Sequence, residues 1–527
     1  MKTDKLMDAI TQIDEDLLNK AGELPAEKEK RSAAKPLPFS AAWIRRACAA
    51  LALVLLLGGA VWIFGRPGSR QPAEQGTTAG QETAAIPEET GGVISAGPAG
   101  TPAETMPGSS GDPLPAGPKA AVLAEPVLPQ DLRWDEMPQP GQSRPVVLRQ
   151  KAGKAAADRY RSFFADIMLQ LLSDGGEDNA VMSPVNIFMA AAMLAEISGG
   201  ETRQEILDTL GVPDLDELRE QAAKLWGLCY LDDGAEKLLL GSSVWLDDSL
   251  TYQEESIKRL AASYYASVFR GEMGSEAYSE LFRAWLDEMT GYFLKEQLSS
   301  QSLEPGIQFM LAATVFLKTQ WMQKFNENLT KPAVFHAPAG DETVPFMNQA
   351  EAARVCFRGE NYRMVRLDTR QGRIWFFLPD EDGSVASMME TESFRNWLAH
   401  TDQDTVPGIT PEAVGVNLSV PKLDIDASQD LTDSLMTLGI RRCLDPGQAD
   451  LSPFLDLPGV CLSSAKQCSR VMIDENGVIA ASAVAMSGAA APPEKVIDLV
   501  LDRPFFLLIT GPESVPLFAA VVNTVKP

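Results

Sequence analysis

The chain is 527 residues long, with 45% hydrophobic and 22% charged residues, enough apolar material for one large domain or two ordinary ones plus unstructured segments. Its net charge of −26, with Lys and Arg spread thinly, argues against a nucleic-acid or anionic-membrane surface as a partner. Six cysteines at wide, irregular spacings include no CxxC pair and so no zinc knuckle or redox dithiol; buried thiols are expected, with a single Cys443–Cys461 or Cys461–Cys468 bridge as the alternative.

In chain order, Leu6, Ile10, Ile13, Leu17 and Leu18 recur at helical spacing behind Thr3, a plausible N-cap. This start reads as a short solvated helix, with docking of a cytoplasmic partner as the alternative. Ala47 to Gly65 carry no charge, and these nineteen residues span about 28 Å as a helix, close to the hydrocarbon thickness of a bilayer. A membrane span is predicted over 47–65. A cleaved signal peptide is the competing reading, but 46 residues precede the span and no small-residue cleavage site follows Trp62-Ile63-Phe64. Lys28, Lys30, Arg31, Lys35, Arg45 and Arg46 precede it, against Arg66 and Arg70 after it, so the positive-inside rule places 1–46 in the cytoplasm and the rest outside a plasma membrane crossed once.

Residues 66–153 are rich in Pro, Gly, Ala, Thr and Glu without helical or strand periodicity, and read as a disordered tether with a reach on the order of 50 Å. From 154 to 527 helical and strand patterns alternate without another linker, which predicts one large α+β domain. Tyr160–Leu172 reads as an amphipathic helix, and Asn179–Ser198 as a short strand turning at Ser183-Pro184 into a mostly buried helix. Arg373–Pro379, Gly415–Leu423 and Pro504–Thr510 read as strands bounded by Pro or Gly. Close to the end, Asn476 to Pro493 is uncharged, with Ala its commonest residue.

Catalytic chemistry is not predicted. The two histidines, His336 and His400, sit in no HExxH pattern, and no GxSxG elbow, Walker loop or GxGxxG loop is present. No catalytic residue, metal site or cofactor is expected, and no enzyme.

Seven stretches in order give the 154–527 region a family resemblance. "NAVMSPVNI" with "GGETRQEILDTLGV", "VFLKTQWMQKF", "VPFM", "VPKLDIDASQDLTDSLMTLGI", and "DRPFFLLIT" with "VPLFAAVVN" are together similar to the serpins. The resemblance implies a large, mostly antiparallel central sheet, surrounding helices and an exposed reactive-centre loop, here preceded by one transmembrane helix. It implies a suicide inhibitor of serine, or else cysteine, proteases, in which the cut loop inserts into the main sheet and drags the trapped acyl-enzyme with it. A non-inhibitory serpin, acting as a binding, carrier or adhesion module, is the alternative. The domain order suits a bacterium with a single outer face.

"VMIDENGVIAASAVA" resembles the strand leading into that loop, with Glu475 and Gly477 in the proximal hinge, followed by Val478, Ile479, Ala480, Ala481, Ser482, Ala483 and Val484. An inserted central strand excludes proline and charge, and Gly477–Ala491 contains neither. By family comparison Val478, Ala480, Ser482, Val484, Met486 and Gly488 face the core on insertion. Val478 and Val484 stand where Thr or Ser is usual, and Ile479 where Glu is usual. The family spacing places the scissile bond at Ala490–Ala491, with Ala491–Pro492 second, and so implies a protease with a shallow pocket, elastase-like or subtilisin-like. Ser183, Asn186, Trp321 and Gln467 fall in the sheet-opening region, where Gln467 replaces a histidine and Asn186 a serine.

Overall fold

The computed structural model describes residues 120–129, 153–173, 176–232, 236–292, 301–401, 406–478 and 496–526. Contacts divide the chain into Met1–Ser109 and Ser110–Pro527, and every described residue lies in the second unit. The predicted span at 47–65 therefore falls outside the described residues; among those described, no helix is long and apolar enough to cross a membrane.

The strands are β1 (Ala121–Ala124), β2 (Ala180–Met182), β3 (Leu231–Asp232), β4 (Lys237–Asp247), β5 (Ala266–Gly271), β6 (Phe309–Gln320), β7 (Lys331–Ala337), β8 (Gly340–Arg358) and β9 (Tyr362–Asp368). They continue as β10 (Arg373–Pro379), β11 (Thr410–Pro421), β12 (Leu423–Asp430), β13 (Ser464–Asp474), β14 (Gly477–Val478), β15 (Val496–Val500), β16 (Phe505–Thr510) and β17 (Pro516–Val522). The helices are α1 (Arg161–Leu172), α2 (Pro184–Ile197), α3 (Gly200–Leu210), α4 (Leu215–Leu228), α5 (Glu254–Ser263), α6 (Glu276–Met289), α7 (Val385–Met389), α8 (Glu392–Ala399) and α9 (Leu431–Thr437).

Two sheets organise these elements. The central sheet runs β1-β5-β4-β6-β14-β13-β12 with β3 beside β4, and the second runs β15-β11-β8-β9-β10-β16-β17-β2 with β7 beside β8. Among the described residues only β4–β5 and β6–β13 are parallel pairs in the central sheet, so it is mostly antiparallel, as expected. The main core fills the space between the sheets around α2, whose fourteen residues are all buried. That helix starts where it does because the Ser183 hydroxyl accepts a hydrogen bond from the Asn186 N–H at 3.3 Å and Pro184 occupies its first turn. Its one buried charge, Glu196, is held by the Arg219 guanidinium at 2.7 and 2.8 Å and by the Tyr264 hydroxyl at 3.1 Å.

A second apolar cluster lies under α6. Tyr278, Phe282, Trp285 and Leu286 of that helix pack on Trp245 of β4, Phe269 of β5, Met310 and Ala312 of β6, and Cys468 of β13. Trp245 and Phe269 stack with centroids 4.1 Å apart.

Two stretches differ from the sequence reading. Gly415–Leu423 is not one strand: β11 ends at Pro421, which has no N–H to donate, Lys422 N bonds to Pro345 O at 2.9 Å, and β12 begins at Leu423 in the other sheet. Within the stretch read as tether, Ala121–Ala124 forms β1, paired antiparallel with β5. Four apolar residues are too short a run to register against the Pro- and Gly-rich composition around them. Cys229, Cys356, Cys443, Cys461 and Cys468 are free thiols, all but Cys461 buried, and burial pushes Cys229 and Cys443 up to about 12.

Candidate functional site

The central sheet is joined at one end and split at the other. At the joined end, Ser464–Cys468 of β13 pairs directly and in parallel with Met310–Thr314 of β6. At the split end β14 stands between them, Val478 opposite Ile473 on one side and Thr319 on the other, Gly477 opposite Asp474 and Gln320, both pairings antiparallel. β13 thus turns back on itself and feeds two residues into a wedge between itself and β6.

The turn is tied on every side. The Asp474 carboxylate accepts from Asn476 N at 2.7 Å and Gly477 N at 3.2 Å, the local bonding that lets Asp open a tight turn. Trp321 donates its ring N–H to Asp474 O at 2.8 Å and its backbone N–H to Asn476 O at 3.1 Å, and Phe325 N donates to Glu475 O at 3.1 Å. Glu475, 5% exposed, takes Lys422 Nζ at 2.8 Å and the Thr330 hydroxyl at 2.6 Å. Burial pushes its carboxyl up, but the bonds from Lys422 and Thr330 outweigh it and hold the pKa below the ordinary value. Gly477 has φ of 149°, and a Cβ there would lie 2.2 Å from Thr319 O, so only glycine fits. Val478 is 1% exposed and belongs to the main core.

The four residues assigned to sheet opening divide between the two ends. Ser183, Asn186 and Gln467 meet at the joined end, where the Gln467 side-chain carbonyl accepts from Ser183 N at 3.3 Å. Gln467 Nε2 and both side-chain atoms of Asn186 are buried there with no partner among the described residues. Trp321 belongs instead to the hinge turn, with Phe325 stacked edge-on at 6.0 Å. Sequence reasoning missed Lys422 and Thr330, which hold Glu475 from β12's approach and from the turn before β7; nothing in their local spacing marks them, because the contact crosses 53 and 145 positions of chain. Ile479, Ala480, Ala481, Ser482, Ala483 and Val484 of the loop, and Ala490, Ala491 and Pro492 at the assigned bond, lie outside the described residues.

In this two-sheet domain the central sheet is wedged open by the strand leaving its own turn. The family model for serpins, serine protease inhibitors, matches residues 158–525, and the chain belongs to that family. Serpin-ZX of Arabidopsis thaliana is 24% identical over 352 residues, covering 63% of this chain and 88% of that protein. Among solved structures, Arabidopsis AtSerpin1 in its native stressed conformation superposes with a TM-score of 0.60 at 22% identity, over 71% of this chain and 98% of that one. Human thyroxine-binding globulin, solved with its ligand, gives 0.59 at 21% identity over 72% of this chain and all of that one.

Proposed function

We propose that the domain traps serine proteases, with cysteine proteases as a second class, by cleavage at Ala490–Ala491 and insertion of the cut loop between β6 and β13. The observation that carries this reading is the placement of β14. Continuing its two registers, Ile479 to Ser482 would stand opposite Met472 to Ser469 on one side and Lys318 to Val315 on the other, filling the wedge down to the Thr314–Cys468 pair. None of these four residues is charged or proline, so a central position costs no buried charge and no lost N–H. The small residues at the bond fit an elastase-like or subtilisin-like protease.

In the same reading the domain is displayed outside a plasma membrane, of a bacterium with one outer face, on the 66–119 stretch behind the charge-free 47–65 segment, with residues 1–46 cytoplasmic. The relatives named above do not bear on this part; the charge asymmetry about 47–65 supports it. The test is a panel of serine and cysteine proteases mixed with the full chain in detergent and run on a denaturing gel. A trapped acyl-enzyme gives a complex that survives the gel, and mass spectrometry of the released peptide places the cut after Ala490. Cleavage at or before Met486 without a stable complex overturns the inhibitor reading. Protease accessibility of 154–527 on intact cells checks the display.

A further inference from the structure

β5 reads ASVFRG, with every residue but Arg270 buried and no proline. Along one side it pairs in parallel with β4 over all six residues, from Ser242↔Ala266 to Asp247↔Gly271. Its other side would be an unpaired row of N–H and C=O groups, the kind of edge on which another chain can add a strand. β1 fills it: Ala121 stands opposite Arg270, Val122 opposite Phe269 and Ala124 opposite Val268. The segment is anchored beyond the strand, where Val127 N donates to Ala261 O of α5 at 3.0 Å. It also joins both apolar layers, since Ala120 packs on the cluster under α6 while Leu123 and Ala124 pack on the main core.

The outer edge of β1 is of opposite character. It is four residues long, its register shifts between Val122 and Ala124, and Glu125, Pro126 and Pro129 follow at once. Shortness, irregular register, charge and proline are each devices that stop further pairing. The sheet therefore ends on a strand that cannot be extended and would otherwise end on one that can. We propose that Ala120–Pro129 is a detachable edge cap that keeps a second copy of this chain from pairing with β5. Twenty-three residues separate Pro129 from Gly153, so the cap leaves or returns without unfolding the domain behind it. When it leaves, the occupant that fits is β5 of a second copy, because the same bare edge then stands on both chains and two such edges pair across a two-fold axis. This holds whether or not the loop traps proteases.

The test uses the full chain in detergent. Amide exchange at 266–271 and molar mass by light scattering are measured across a wide concentration range for the native chain and for Ala121→Pro combined with Leu123→Asp. The native chain stays monomeric with β5 protected. The variant exchanges at 266–271 at least about tenfold faster when dilute and forms dimers on concentration, which a synthetic Ala120–Pro129 peptide suppresses. A native chain whose β5 amides exchange as fast as the variant's, or a variant that stays monomeric at every concentration, overturns the proposal. Should the variant not fold, a specific protease site inserted between 130 and 152 is cut after folding. The N-terminal piece then remains bound until excess peptide displaces it, and separation of the two pieces as soon as the chain is cut overturns the cap.

Discussion

Glu475 is a carboxylate with 6% of its side chain exposed, holding the turn from which β14 leaves. Its folded pKa lies below the ordinary 4.5, so its contribution is fully present above the unfolded value and is lost as pH falls through the lower folded one. Glu475→Gln keeps an acceptor for Thr330 and gives up the charge that pairs with Lys422. The variant should be less stable at neutral pH by about 1–2 kcal/mol, since its lysine partner is partly solvated. Its melting temperature should also fall less steeply than the native chain's below pH of about 4.5, so that the two converge in acid. Parallel melting curves at every pH would show that the pair does not hold the turn. Asn186 offers a prediction of opposite sign. Both its amide atoms are buried without a partner among the described residues, and burying an unpaired amide costs roughly 1–3 kcal/mol. Asn186→Leu, close in volume, should therefore raise the melting temperature of the intact chain. A fall would mean that a buried water satisfies the amide.

At the scale of elements, β14 consists of two residues and depends on one glycine. Replacing Gly477 by alanine puts a Cβ 2.2 Å from Thr319 O and 2.8 Å from Gln320 Cα in a backbone region that L residues rarely adopt. Gly477→Ala should cost about 1–3 kcal/mol. The cost should appear locally, as faster amide exchange at Thr319, Gln320 and Ile473, the residues flanking the wedge. Unchanged exchange there would sink the idea that β14 is seated in the slot. The sequence makes this element legible only through the family likeness: a Gly after Asp-Glu-Asn says turn, but nothing local says that the strand after it re-enters the sheet it has just left. Elements with strong periodicity, such as α1, the buried α2 behind Ser183-Pro184, β10 and β16, are legible from residue pattern alone. Their packing partners are local or simply apolar. β1 is not legible, because its reason for existing is the open side of β5 some 140 positions later, and a propensity read over four residues cannot see that.

For the molecule as a whole, the insertion proposed above would follow the register that β14 begins, and that register says what it would break. Past Ser482 an inserting chain would meet the parallel pairs Cys468–Thr314 to Ser464–Met310, and each would have to part for Ala483 to Ser487 to enter. The cluster under α6 spans that line, with Met310 and Ala312 on one side and Cys468 on the other, so the helix would have to move if the sheet opened. Residues directly opposite in an antiparallel pair share a face, and Val478 beside Ile473 faces the main core. Six residues on, the same register would put Val484 beside Gln467 on that face, next to a side-chain N–H that has no partner among the described residues. A valine methyl cannot accept that hydrogen, whereas a threonine hydroxyl of nearly the same shape can. Val484→Thr should therefore leave the intact chain's stability unchanged and stabilise the cleaved, inserted form by about 1 kcal/mol. Guanidinium unfolding of the two forms side by side measures this, because one substitution must shift only one of two midpoints. A shift in both forms, or in neither, would mean that the loop does not enter in the register that β14 begins.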